Sequence, residues 1–353
     1  MLSKSAFSRE EADGIAPWPT LAPLGIDETV ALVLVLDGER HARVRRLAAD
    51  QFSASAVRRH RPRIEEVVTG LVDELIAGGD AADLFGDMGL RMSLTLIGDI
   101  LGIPEPDRPQ FRAWSDSLLV SAELDGVGGA AMMEMFGYMT ALVSERRDEP
   151  ADDLISLMAA RASEAGVPDE AVALLAVAIT VGGWETTAAS LTCGVLRLLT
   201  EPHPEGGTWW RALCDEPDLI PGAVEEILRT VPSSWNGSSQ PRRATAPVQI
   251  GSVRVEAGQL AIPVHDAANR DPSVFQNAGV FDPARERNQH LAFALGPHVC
   301  LGAHLAALEL QIALSELTRR LPGLRLAVDP ADLEWDTTTM VRRPTRLPVA
   351  WGP

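Results

Sequence analysis

Residues 290–310, HLAFALGPHVCLGAHLAALEL, set three histidines and a cysteine in a glycine-punctuated turn that leads directly into a helical pattern. Leu301, Leu305, Leu308 and Ile312 recur at spacings of four, three and four, which is the period of one helix face. Cys300 therefore falls at a helix start, where unpaired amides and the positive end of the helix dipole favour a thiolate, the form that ligates metal. Gly296 and Gly302 allow tight turns beside the sulfur and the close approach of a flat ligand. Local chemistry leaves two other readings open. Cys300 and His304, with His290 and His298 nearby, have the ligand types of a zinc site, and a free cysteine is often a small buried apolar residue.

The rest of the composition bounds what this turn can serve. The chain has 353 residues, 46% of them hydrophobic, and 29 glycines and 25 prolines are spread along its length, so a packed globular core is expected. A formal charge of −18 excludes wholesale binding to nucleic acid or to an anionic membrane, so any basic contact has to be a local patch. Cys193, Cys214 and Cys300 are an odd number without CxxC spacing, as expected in the reducing cytoplasm. The N-terminal MLSKSAFSREEADGIAPW lacks the apolar core of an export signal, and the run AVALLAVAITVGG is too short to span a bilayer, so no membrane anchor is expected.

Helical periodicity dominates outward from the cysteine turn. Ile64, Val67, Val68, Leu71 and Leu75 share one face, and similar stripes run through 168–200, 219–231 and 301–320. Strand signals gather at 247–265, where short alternating runs are joined by glycine-containing turns. With no internal repeat and no low-complexity linker, the expectation is one mainly α domain over residues 1–353 with a small β-sheet.

Phe293 to Gly302, FALGPHVCLG, resembles the FxxGxxxCxG loop of the cytochrome P450 family, in which the cysteine thiolate is the proximal ligand of haem iron. Other elements follow in the family's order. EEILR resembles its ExxR helix, with Glu226 and Arg229 on one face. VGGWETTAAS resembles its distal helix, and PRRAT, AANRDPSVF and FDPAR stand where bacterial members carry similar segments. The match extends from FSREEA to the C-terminus. It implies the cytochrome P450 fold, with haem b (iron protoporphyrin IX) between a long distal helix and the cysteine-loop helix, and Cys300 as the metal ligand.

The resemblance assigns roles residue by residue. Glu185 and Thr186 are implied as the acid and alcohol pair that delivers protons to dioxygen, and the residue types suit a relay. Independently, Thr186 lies four residues after Gly182, so its hydroxyl can bond that carbonyl and open the helix. Gly182 and Gly183 read either as close helix packing or as room beside a cofactor. Trp184 is expected to pack in the core. Ala178, Val181, Gly182 and Ser238 are the substrate-facing candidates. Haem propionates need basic partners, and family matching offers His41, Arg45, Arg242 and His298, with Phe293 and Gly302 completing the cofactor loop.

Three departures from the family pattern stand out. Only six residues precede FSREEA, so part of the usual sheet and substrate entrance is expected to be missing. Val280 replaces the basic third partner of Glu226 and Arg229, a role Arg285 is placed to fill. Ala294 replaces a common glycine in the cysteine loop. The implied activity is a haem-thiolate monooxygenase that inserts one oxygen atom from O₂ into a small organic substrate, in bacterial natural-product biosynthesis. Ferredoxin and its NAD(P)H-dependent reductase would be the electron donors. Rival readings are peroxygenase or non-oxygenating haem chemistry, and a non-catalytic interaction module of the same fold. Between Arg40 and Arg63 eight arginines face one acid, Asp50, and Arg43, Arg46, Arg58 and Arg59 are the expected ferredoxin contacts.

Overall fold

Amphipathic stripes that cannot be buried alone have to be buried against one another, and in this chain the helices do so. The computed structural model describes residues 6–9, 33–118, 127–232, 234–235 and 240–352. The helix Arg61–Ala77 starts on a proline in its first turn and buries Ile64, Val68, Leu71, Val72 and Leu75. Val67 of the expected stripe is only partly buried. Helices Arg91–Leu101, Val127–Asp148, Leu154–Ala165, Asp169–Gly183, Glu185–Thr200, Ile220–Thr230 and Ala303–Arg320 pack around one core cluster that runs from Leu36 to Val349.

Asp169–Gly183 and Glu185–Thr200 form one apolar rod interrupted at Trp184. Joined, they are long and apolar enough to cross a bilayer, which the run length alone did not suggest, yet 78% of the most apolar window is buried inside the protein. Their neighbours provide the apolar surroundings instead of lipid.

The strands are short: β1 (Phe7–Ser8), β2 (Ala81–Asp83), β3 (Arg242–Ala244), β4 (Val248–Ile250), β5 (Val253–Val255), β6 (Leu260–Ala261), β7 (Arg325–Leu326) and β8 (Pro348–Ala350). They make two three-stranded sheets, ordered β1-β3-β6 and β2-β8-β7, and the hairpin β4-β5. The single small sheet expected from 247–265 is thus divided, and two of the three sheets recruit strands from far along the chain. The FS of FSREEA is itself β1, antiparallel to β3 with Ser8 opposite Arg243.

Candidate active site

The interruption of the long rod comes from its own sequence. Thr186 donates its hydroxyl hydrogen to the Gly182 carbonyl at 2.6 Å, and Trp184 between the two helices has φ −96° and ψ −77°. A hydroxyl taking a carbonyl that would otherwise accept a helix amide bends the helix there. The two glycines divide the readings offered above. A side chain at Gly183 would press on Ile97 at 3.1 Å, so that glycine serves packing, whereas a side chain at Gly182 would meet nothing within 4 Å. Trp184 is buried against Phe85, Leu90 and Ala188, as expected. Ala178, one turn before Gly182, is half-buried, but Val181 is buried in the core cluster, so it is not on the open face with Gly182. Ser238 lies outside the described residues.

Glu185 and Thr186 are adjacent but point to different partners. The Glu185 carboxylate is buried and receives a hydrogen bond from Arg343 Nε at 2.5 Å. Arg343 also pairs with Asp336 at 2.8 Å and lies over the Phe85 ring, 4.1 Å from its centroid. These groups line a polar cleft of about 520 Å³ with Arg112 and Thr338. Nothing in the local sequence around Glu185 signals a partner 158 residues away.

The cysteine turn closes on itself. The Cys300 amide donates to the Phe293 carbonyl at 2.8 Å and the Val299 amide to Gly296 at 3.0 Å. Gly296 takes φ +89° and Ala294 takes φ +59°, a conformation glycine adopts without steric cost and alanine does not. Gly302 has φ −84°, so its value is not left-handed freedom but open space: a side chain there, as at Gly296, would meet nothing within 4 Å. Cys300 remains accessible, but the protein packed around its sulfur pushes the thiol up, against the Gly302 amide and Arg45, which pull it down. The helix start, which begins at Ala303, does not by itself keep the sulfur ionised. A bound cation would, because metal coordination removes the thiol proton outright.

The zinc reading has no geometry behind it. His290 pairs with Glu225 and His298 with Asp37, and no cluster of metal-ligating side chains forms among the described residues.

The basic residues assigned by resemblance do gather. His41 is buried with its ring 4.1 Å from that of His298, whose Nε2 lies 3.0 Å from Asp37. Arg45 donates to the Val299 carbonyl at 2.7 Å, beside the cysteine. Arg242, on the same side of β3 as buried Ala244, bonds only the Gln240 carbonyl, at 3.3 Å, among the described residues. Two members were missed in the sequence. Arg9, immediately after β1, is buried, and His265 follows β6. Burial and then His298 and Arg45 bring His41 down to about 4. Burial and then Arg242 bring Arg9 down to about 10. His265 is lowered by burial and then by Arg242 and Arg9. Burial would raise Asp37, but hydrogen bonds from His298, the Arg9 amide and Ser8 outweigh it and hold it at about 2.

Among the described residues this is a cation cluster short of anions. An iron porphyrin fits the donor set: a thiol for the metal, glycines with open space beside the thiol and on the distal helix, and one buried and two half-buried guanidinium groups for two carboxylates.

The ExxR pair is the opposite kind of site. Arg229 holds Glu226 in two 2.7 Å hydrogen bonds, with both side chains fully buried. Arg285 and Asn288 add bonds to Glu226 at 2.9 and 3.0 Å, so Arg285 does take the third place. Val280, the departure, contributes its carbonyl to Arg229 at 3.0 Å and to Arg285 at 3.1 Å.

A family model described as Cytochrome P450 matches residues 218–340. Nocardicin C N-oxygenase of Nocardia uniformis subsp. tsuyamanensis is 39% identical over 99% of this chain and 86% of its own length. Mycinamicin IV hydroxylase/epoxidase of Micromonospora griseorubida is 38% identical over 90% of this chain and 79% of its own. A cytochrome P450 hydroxylase from the leinamycin biosynthetic pathway of Streptomyces atroolivaceus superposes with a TM-score of 0.88 at 35% identity, covering 99% of this chain and 87% of that one.

Proposed function

This chain belongs to the cytochrome P450 family and is a haem-dependent monooxygenase, and from that premise we propose how its residues divide the work. Cys300 would hold the iron, its loop held by the Phe293 carbonyl and opening onto Gly302. His41, Arg45, Arg242 and His298 would hold the haem b carboxylates. Haem ligated by thiolate supplies dioxygen binding and cleavage of the O–O bond. The protein supplies protons, position and exclusion of water. We read the described residues as one domain, since one core cluster runs from Leu36 to Val349.

The observation that carries the distal assignment is the 2.6 Å bond from Thr186 to Gly182. A hydroxyl there is both donor and acceptor, and the opened carbonyl leaves a polar notch in an otherwise apolar helix. Glu185 moves protons only when it leaves Arg343. Asp336, already on that guanidinium, keeps it neutralised when Glu185 turns away. The substrate is a small organic molecule of natural-product type, as the names of the relatives suggest, with Ala178 and Gly182 on its side of the helix.

Electrons come from a ferredoxin and its NAD(P)H-dependent reductase. Of the arginine island, Arg46 is paired with Glu39, Arg43 donates to the Ala165 carbonyl, and Asp50 is taken by Arg161. Arg58 and Arg59 are exposed beside the short helix Ala54–Val57, which packs on the cysteine-side helix, and they are the better docking residues.

Thr186→Ala tests the distal reading. Haem content and substrate binding stay unchanged, while a larger share of NAD(P)H ends as hydrogen peroxide. Unchanged coupling of NAD(P)H use to product would remove Thr186 from proton delivery.

A further inference from the structure

Arg9 is buried to 6% exposure, and its Nε has no hydrogen-bond partner among the described residues. Its Nη1 donates to the Leu34 carbonyl at 2.9 Å and its backbone amide to Asp37 at 2.5 Å. The β1–β3 register, with Ser8 opposite Arg243, brings Arg9 beside Arg242. Arg242 lies close enough to make the surroundings of Arg9 more positive. Burying a guanidinium with an unused donor next to a second cation is unfavourable unless an anion comes between them.

Charge balance says how many anions are wanted. Arg9, Arg45 and Arg242 carry three positive charges, and Asp37 is the carboxylate that acts on Arg9 and Arg242. Among the described residues two positive charges remain, and a porphyrin brings two propionates. Without Arg9 only one propionate would be neutralised. The thiolate does not alter the count, because the ferric porphyrin core it binds carries the compensating charge.

We propose that Arg9 is the third cation of the propionate cradle, its free Nε bonding a haem carboxylate shared with Arg242. This deepens the haem reading and rests on it. It also gives the residues at β1 a ligand-dependent role: the chain end that pairs with β3 is pinned from one side by Leu34 and Asp37 and from the other by the cofactor.

The alternative is that Arg9 is a tether for Leu34 and Asp37 alone, and esterified cofactor separates the two. Apoprotein of the wild type, Arg9→Gln and Arg9→Lys is reconstituted with iron protoporphyrin IX or with its dimethyl ester, and transfer to apomyoglobin is timed. With the free-acid haem, Arg9→Gln loses cofactor about tenfold faster than the wild type, as expected for one lost bond to a charged group, and Arg9→Lys loses it less fast. With the ester, all three agree within about twofold. The inference is overturned if Arg9→Gln retains free-acid haem like the wild type, or if its deficit is the same with both cofactors. Should Arg9→Gln not fold, the Arg9→Lys comparison alone decides on the same two criteria. A wild type that takes up neither cofactor would instead refute the haem reading, a distinct result.

Discussion

Two charge clusters in this protein are built from the same residue types and end in opposite states. Around Glu226, every charge finds a partner inside the protein: Arg229 and Arg285 face one carboxylate, and their remaining donors go to the carbonyls of Asn269, Gln276, Ala278 and Val280. Burial would raise Glu226, but the Arg229 hydrogen bonds outweigh it and keep it below the ordinary range. Around Asp37, burial and then neighbouring cations lower Arg9 and His41, and burial lowers Arg242. A closed cluster organises the chain, whereas an open one reserves a place for something that is not the chain.

The contrast is most sharply broken or upheld by deletion. Arg229→Ala leaves Glu226 buried with only part of its compensation, and the expected cost is ~3–5 kcal/mol in chemical denaturation, with or without cofactor. Equal losses with Arg242→Met in the cofactor-free protein would erase the distinction. Arg242→Met is instead expected to leave apoprotein stability unchanged or raised, since one cation leaves a crowded cluster, while haem loss to apomyoglobin quickens about tenfold.

Titration sharpens it further. His41 sits at about 4, below its ordinary 6.5, so its share of stability is present above pH 6.5 and is lost as pH falls through 4. Glu309 is the reverse case. It lies in the cysteine-side helix Ala303–Arg320, and burial alone pushes its carboxyl to about 8 from 4.5. Stability associated with it is full below pH 4.5 and is lost as pH rises through 8. In thermal unfolding, His41→Gln therefore flattens the acid limb, and Glu309→Gln raises the midpoint at pH 9 while leaving it unchanged at pH 4.5. An effect of Glu309→Gln that is equal at both values would show that the gain does not come from charge.

How much of this could be read in the sequence depended on how local the signal was. The cysteine turn and the helical stripes are legible because neighbours in sequence are neighbours in space. The strands were mostly illegible: β2, β7 and β8 have only two or three residues, too few for alternation to register, and their pairing is set by distant partners. Val181, offered by resemblance as substrate-facing, is buried in the core, because one step along a helix turns about 100° away from Gly182. Arg9 and Arg343 are not legible because their partners are distant in sequence: Arg9 comes beside Arg242 through the pairing of β1 with β3, and Arg343 lies 158 residues beyond Glu185.

The smallest expected effect tests the departure at Ala294. Its φ of +59° costs alanine what glycine avoids, offset by the greater freedom of glycine in the unfolded chain. Ala294→Gly should stabilise the protein by about 0.5 kcal/mol, measured by denaturant titration, without altering the Soret spectrum of the haem-loaded form. Destabilisation would mean that the loop relaxes into another conformation.

Everything at the open cluster presumes that the sulfur in its midst holds iron. The direct measurement is the absorption spectrum of the purified protein, reduced and exposed to carbon monoxide, beside that of Cys300→Ser. The wild type should give the strongly red-shifted Soret band of thiolate ligation and the variant should lose it. A wild type that binds haem without that band, or a Cys300→Ser variant that keeps it, would contradict the assignment of Cys300 as the ligand.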